Sequence, residues 1–338
     1  MKEKKSTTVA IQSHWFSVVY LLTLMGFTVL PSCQAVKTTG VQIFNAERYC
    51  QVMPTSSSYN DSLWASISAI DSVFPLGIKQ RFSQRARSIG ADIGILPLLN
   101  QFVQTEKRLQ HNLTDADQVK MNTIRQNISE HIMLASLDVS NVLAEIECEQ
   151  DRALAMKNYL QLQADKRTRK LTIYSILAGA ISTIFVSTLT LSNGKPEYIE
   201  SVSVGGGLIG GYLAVRTLTT TDQALFNHPR NHLKDIRDNP KRSKVYPPMV
   251  WHFLTRELEN QAQTPTAREI ILDRWKELNL LTEAQSEAQR ARLELLFGNG
   301  GIYGNDEISH RISLIDSLET EIALMQQELQ QLQQELLQ

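Results

Sequence analysis

The sequence predicts an all-α protein: a long amphipathic helix leading into an apolar helical hairpin, then a helical C-terminal region with a coiled coil. Three observations predict it. No glycine or proline occurs between Pro97 and Gly179. Two apolar runs, LTIYSILAGAISTIFVSTLTL and VSVGGGLIGGYLAV, follow in close succession, and the C-terminal segment repeats apolar side chains every seven residues.

The long helix has a start signal. Thr114-Asp115-Ala116-Asp117 resembles a capping box with the acid at the third position, and helix-favouring residues follow without interruption. Val119, Ile124, Ile128, Ile132, Leu137, Val142, Ile146 and Leu154 return to one side. This predicts about 50 helical residues before the apolar run, roughly 80 Å at the α-helical rise. Such a helix is either a coiled-coil-like stalk or a member of a bundle.

Lys166, Arg167, Arg169 and Lys170 then mark a membrane interface. Leu171 to Leu191 matches the roughly 20 residues that cross a bilayer, and seven of its residues are serine or threonine. Hydroxyls bond back to helical carbonyls, so they are tolerated in lipid, and they equally suit a helix buried in protein. Asn193-Gly194-Lys195-Pro196 predicts a turn, and Val202 to Leu218 a weaker return span that contains Arg216. Gly206 with Gly210 and Gly207 with Gly211 give small-xxx-small spacing for close helix packing, against the preceding helix or another copy. A glycine-rich loop is the alternative, and no Gly-Lys-Ser/Thr follows to make a phosphate loop.

Around this centre the chain divides into further segments. Residues 1–32 read as a signal peptide and 33–58 as a polar tether. The 59–165 region opens with Leu63, Ile67, Ile70 and Phe74 at helical spacing, closed by Pro75 and Gly77. Gly90, Gly94 and Pro97 predict a short helix and an irregular connection before the long one. The hairpin occupies 166–220. Residues 221–265 form a basic, aromatic, proline-marked linker in which Tyr246, Trp251 and Phe253 follow a run of lysines and arginines. It fits either contact with lipid headgroups, with Trp251 at the interface, or a solvated loop against a helical domain. A helical pair spans 266–297, as Ala267 to Leu280 and, behind a Thr282-to-Gln285 capping box, Glu283 to Phe297. Gly298 to Gly301 reads as a hinge. In the coiled coil, 305–338, Ile308, Ile315, Ile322, Leu329 and Leu336 recur every seven with Leu318, Met325 and Leu332 between them, and Arg311 interrupts the second seam position. Its partner is the long helix of the same chain, a second copy or another helical protein.

Composition excludes some functions. Lysine plus arginine (34) nearly balances aspartate plus glutamate (35), so no charge excess points to nucleic acid. The N-terminus has a basic start, an apolar run from Ser17 to Leu30, and then Leu30-Pro31-Ser32-Cys33. That tetrapeptide resembles the lipobox of bacterial lipoproteins, with proline at its second position a departure from the commonest form. The resemblance covers the first 33 residues. It implies acylation of Cys33, a membrane-anchored, periplasm-facing place in a bacterial cell envelope and, with Gln34 following, sorting to the outer membrane. An uncleaved signal anchor is the alternative. With Cys33 lipidated, Cys50 and Cys148 remain as a disulfide pair or as two thiols.

The export signal and the charge pattern conflict. An exported chain meets the hairpin from outside, while the basic flanks favour an inside position for both ends. We give the export signal precedence, because the charge bias acts during synthesis and the hydroxyl-rich spans are weak.

Catalytic patterns are missing from the sequence. No nucleophile elbow, dinucleotide fingerprint or zinc ribbon occurs. His228 and His232 have the four-residue spacing of metal ligands but lack the companion glutamate, and Glu145, Glu147 and Glu149 read as a solvated run. The expectation is a non-enzymatic envelope protein without cofactor or metal, a tether or scaffold subunit of a membrane complex. Its partners would be membrane lipid and, through the coiled coil, a second copy or a helical protein. The alternative is a helical pore-former that inserts its hairpin into a target bilayer.

Overall fold

The computed structural model describes residues 50, 74–111, 114–192, 196–219, 221–228, 230–257, 264–281 and 286–338. The lipobox-like tetrapeptide with Cys33, the tether apart from Cys50, the expected helix up to residue 73, the expected turn at 193–195 and the 282–285 capping box lie outside them. The protein is all-α. Its described helices are α1 (Leu76–Arg81), α2 (Gln84–Asp92), α3 (Leu96–His111), α4 (Asp115–Leu191), α5 (Pro196–Thr219), α6 (His232–Asp238), α7 (Pro248–Thr255), α8 (Ala267–Glu277), α9 (Glu287–Phe297) and α10 (Asn305–Leu337). A two-stranded ribbon, β1 (Ala224–Asn227) and β2 (Gly300–Tyr303), completes them.

The chain forms two compact units, a body (Thr38–Arg169 with Asp222–Gln338) and a second unit that includes Lys170–Thr221. Helix α4 runs through both without a break for 77 residues. It starts where the sequence predicts: the Asp117 N–H donates to Thr114 Oγ1 at 3.3 Å, and that hydroxyl donates to Asp117 Oδ2 at 2.5 Å.

In the body α10 lies antiparallel along the first part of α4. Ser136 Oγ donates to Gln326 Oε1 (2.8 Å), Gln326 Nε2 donates to the Ser136 carbonyl (3.0 Å), and Gln333 Nε2 donates to Ser129 Oγ (3.2 Å). Ile308, Ile315, Leu318, Ile322, Met325, Leu329, Leu332 and Leu336 are all buried, so the heptad seam is covered within its own chain. On α4 the buried stripe is Met121, Ile124, Ile128, Ile132, Ala135, Val139, Val142, Ile146, Ala153, Met156 and Leu160. Val119, Leu137 and Leu154, expected on that face, are exposed. The true stripe keeps the 3.5-residue period by accepting alanines, and the larger neighbours drift off it.

Short helices cover the rest of the seam. The Ser83 N–H donates to Glu335 Oε2 at 2.8 Å and Gln331 Nε2 donates to Ser83 Oγ at 3.0 Å, fixing the start of α2 on the end of α10. Gly90 lies inside α2 instead of breaking it, because a Cβ there would come 2.7 Å from Leu99 Cδ1 of α3. Gly94, at φ +73°, turns the chain, and Pro97 falls in the first turn of α3 where no N–H is needed. On the far side Trp275 of α8 is fully buried and donates from Nε1 to the Leu314 carbonyl at 3.2 Å.

Residues 221–265 are not a linker. Their described part holds β1, α6 and α7, and Tyr246, Val250, Trp251 and Leu254 are core residues. Trp251, expected at a membrane interface, is 2% exposed, stacks on Tyr246 with ring centroids 5.7 Å apart, and donates to the Pro240 carbonyl at 3.1 Å. Nor is Gly298–Gly301 a hinge. Gly300 and Gly301 pair antiparallel with Asn227 and Phe226, and the φ of +95° at Gly300 is a conformation glycine adopts readily.

Candidate functional site: an apolar helical hairpin

From Leu171 to Leu191 helix α4 carries apolar residues on every side, and the helix contains a stretch long and apolar enough to cross a membrane. None of it is buried. Its return partner is α5. Leu171, Ser175, Ala178, Ser182, Val186 and Leu189 on α4 are half-buried at helical spacing, as are Ile199, Val202, Gly206, Gly210, Leu213 and Thr217 on α5. These sets match in one antiparallel register, anchored where a Cβ on Gly206 would fall 2.5 Å from Ser182 Cβ. Small residues at the middle of the seam let the two backbones approach.

The register sorts the glycines. Gly206 and Gly210 are half-buried on the side of α4 and Gly207 and Gly211 are exposed, but only Gly206 is in close contact; a Cβ at Gly207, Gly210 or Gly211 would meet open space. Only one of the two small-xxx-small pairs therefore lies on the seam of the hairpin.

Five of the seven hydroxyls of the Leu171–Leu191 span bond back to their own helix. Ser182 and Thr183 both donate to the Gly179 carbonyl (2.9 Å), Ser187 to Thr183 (2.8 Å), Thr188 to Ile184 (2.8 Å) and Thr190 to Val186 (2.8 Å). Thr217 of α5 does the same to Leu213 at 2.8 Å. A hydroxyl bonded in this way needs no water, which removes most of its cost in hydrocarbon. Arg216 donates from Nη1 to Tyr212 Oη at 3.2 Å. Of the basic residues preceding the span, Lys166, Arg169 and Lys170 are exposed, while Arg167 forms a 2.7 Å ion pair with Asp222.

The body contains the other concentration of polar side chains. Arg311, which interrupts the heptad seam, is 1% exposed; it donates from Nη2 to Glu149 Oε1 at 3.0 Å and from Nη1 to the Leu296 carbonyl at 2.9 Å. Arg152, 0% exposed, donates to the other oxygen of Glu149 at 2.5 Å and lies 4.2 Å from the Phe226 ring centre. One carboxylate thus serves two buried guanidiniums, and Glu149 is not a solvated acid. Asn231 caps α6 through the Leu233 N–H (3.2 Å) and donates from Nδ2 to the Leu296 and Gly298 carbonyls at 2.9 and 2.8 Å.

His228 and His232 are not brought together as a pair of ligands. His228 Nε2 meets Tyr303 Oη at 2.9 Å, and that hydroxyl donates to the Leu295 carbonyl at 2.7 Å, so the ring nitrogen is the donor. Burial, with Arg311 and Arg152 close by, pushes His228 down to about 2. His232, under the Tyr246 ring, is pushed down to about 3 by burial and by Arg230 and Arg311. Its 3.7 Å approach to Glu145 is therefore a contact of a neutral ring and not an ion pair. Burial raises Glu145 even though Arg230 sits 2.7 Å away. The void beside Glu149, His232 and Arg311 measures about 10 Å³, at the lower bound for one water and far too small for a substrate. A second buried acid, Asp92, accepts from His252 Nδ1 at 2.6 Å and from Arg256, which also donates to Glu328 at 2.5 Å. These groups tie α2, α7 and α10 together. Among the described residues no group of three or more histidine, cysteine or acidic side chains could hold a metal ion.

Cys50 and Cys148 are disulfide-bonded, with Cα atoms 5.8 Å apart and a sequence separation of 98. No protein-family model, curated protein or solved structure matches the chain.

Proposed function

We propose that the protein is a non-enzymatic, lipid-anchored scaffold of a bacterial envelope that holds a folded helical body at a membrane through its apolar hairpin. The observation that carries the reading is the hairpin itself: an uncovered apolar span with most of its hydroxyls bonded internally and a seam of small residues. Leu171 to Leu191 extends roughly 30 Å, the thickness of a hydrocarbon core. The disulfide in the body fits an oxidising compartment and so the periplasmic side that the lipobox-like tetrapeptide implies. In the body the ionisable clusters are closely packed, which suits a structural role.

The pore-forming alternative requires a soluble state in which the hairpin is covered. An apolar span with no buried residues gives that state no support. Covering α10 with α4 also moves partner binding away from the heptad seam and towards the hairpin and the outer faces of the body.

Membrane fractionation with fatty-acid labelling tests the proposal. Wild type takes up label and stays with membranes through alkaline carbonate; Cys33→Ser loses the label yet remains membrane-bound through the hairpin. Release of Cys33→Ser by carbonate would show that the hairpin is not embedded. Dye release from liposomes by the purified protein would favour the pore-former.

A further inference from the structure

The two helices of the hairpin carry the same pair of residues at the same end. On α4 Lys170 is followed one turn later by Tyr174, and on α5 Tyr212 is followed one turn later by Arg216. Because the helices run in opposite directions, the register that sets Ser182 against Gly206 and Leu171 against Thr217 brings the two pairs to within two residues of one level, about 3 Å. On each helix the cation is nearer the end where the hairpin joins the body and the tyrosine is one turn deeper. All four side chains are exposed, and Arg216 donates to the Tyr212 hydroxyl at 3.2 Å.

Sequence alone puts Arg216 inside the second span, as an intramembrane charge. In this register Arg216 is level with Thr172 at the outer margin of the span, two residues inward of Lys170 and about 3 Å by the helical rise. The opposite end carries Tyr198 and the exposed carboxylate Glu200 on α5, so the hairpin is polarised, cationic at the end that joins the body.

We infer that the end of the hairpin joining the body is a docking surface for the phosphate headgroups of anionic phospholipids. Tyr174 and Tyr212 lie at the edge of the hydrocarbon, and Lys170 and Arg216 lie one turn outward among the phosphates. The order of groups is what carries it. Aromatic rings with a polar tip belong at the boundary between acyl chains and headgroups, and a cation about 6 Å further out belongs at phosphate depth. A guanidinium and an ammonium on two helices at nearly one level present two positive charges to one leaflet, and a negative surface potential rewards each. This inference rests on the reading that the hairpin enters a bilayer, and names the lipid class and the depth.

Partition of the full-length protein into vesicles tests it, using phosphatidylcholine alone and phosphatidylcholine mixed with phosphatidylglycerol. Wild type should bind the anionic vesicles more tightly, and high salt should remove the difference. Lys170→Gln with Arg216→Gln should lower binding to anionic vesicles about 25-fold, about fivefold for each cation removed, and leave binding to phosphatidylcholine unchanged. Lys276→Gln, an exposed body cation, should change neither. Equal wild-type binding to both vesicles, or an anionic preference that survives in the double variant, overturns the headgroup site and leaves the embedded hairpin standing. Binding to neither vesicle overturns both.

Discussion

One helix, α4, meets two different environments. Between Met121 and Leu160 its apolar side chains form a single stripe, covered by α10 and the short helices of the body. Between Leu171 and Leu191 they point in every direction, and α5 covers only a narrow line of small residues. The first half is stabilised by neighbours of the right shape at the right level. In the second, most of the apolar side chains have no such neighbours within the hairpin. Polar groups differ in the same way: in the body they meet one another across elements, as Arg311 and Glu149 do over 162 residues, while in the hairpin hydroxyls such as those of Ser182, Thr183, Ser187, Thr188 and Thr190 bond back to their own helix.

Four experiments break or sharpen this contrast. The largest effect belongs to the carboxylate between two guanidiniums. Glu149→Gln leaves Arg152 and Arg311 buried without a counter-charge and should cost about 3–5 kcal/mol in urea unfolding followed by tryptophan fluorescence. Thr183→Val, which removes one self-contained hydroxyl of the hairpin, should stay within about 0.5 kcal/mol in the same assay. Isoleucines on the two halves of α4 come next. Ile128→Ala should lose about 3 kcal/mol because the side chain is 0% exposed, and Ile184→Ala, 65% exposed, should leave body stability unchanged. Equal losses at the two positions would contradict the division.

The third is a pH dependence. His228 and His232 titrate near 2 and 3 in the folded body, below the ordinary value of about 6.5. As pH falls below 6.5 the unfolded chain takes up protons that the folded one does not, so each histidine lowers stability progressively down to its folded value. Glu145, Glu321 and Glu328, raised by burial, act with the opposite sign. The variant should therefore be compared with wild type at each pH. The penalty between pH 6.5 and 4.5 should be about 2 kcal/mol smaller per histidine in His228→Gln and His232→Gln, after subtracting the pH-independent change. The smallest effect is local to the hairpin. Cysteines placed at Ala178 and Gly210 should cross-link readily; Gly206→Leu should slow the reaction several-fold by wedging against Ser182, and Gly207→Leu should not.

Much of this contrast is legible in the sequence. The heptad from Ile308 to Leu336, the Thr114 cap and the apolar runs follow from periodicity and composition, which report what a helix does with its own neighbours. Legibility fails where long-range pairing decides. Four-residue strands carry too little pattern to announce β1 and β2, so the glycines of β2 read as a hinge. A tryptophan after a basic run suggests an interface, yet Trp251 is held by Tyr246 and the Pro240 carbonyl, both displayed by the fold. Arg311 stands out in a heptad, but its answering Glu149 lies in an acidic run that appears solvated until α4 and α10 are laid side by side. At the site, composition gives the hairpin and the structure gives its register, and the register is what places Gly206, Tyr174 and Arg216.

Arg311 also governs the company α10 keeps. Two copies of α10 joined along this seam would force a guanidinium into the oily strip with no acid to meet it, and a parallel pair would set one guanidinium against the other. Helix α4 alone supplies Glu149 at that height. The cation on this seam is thus matched to an acid on its own chain, which a seam of aliphatic residues alone would not require.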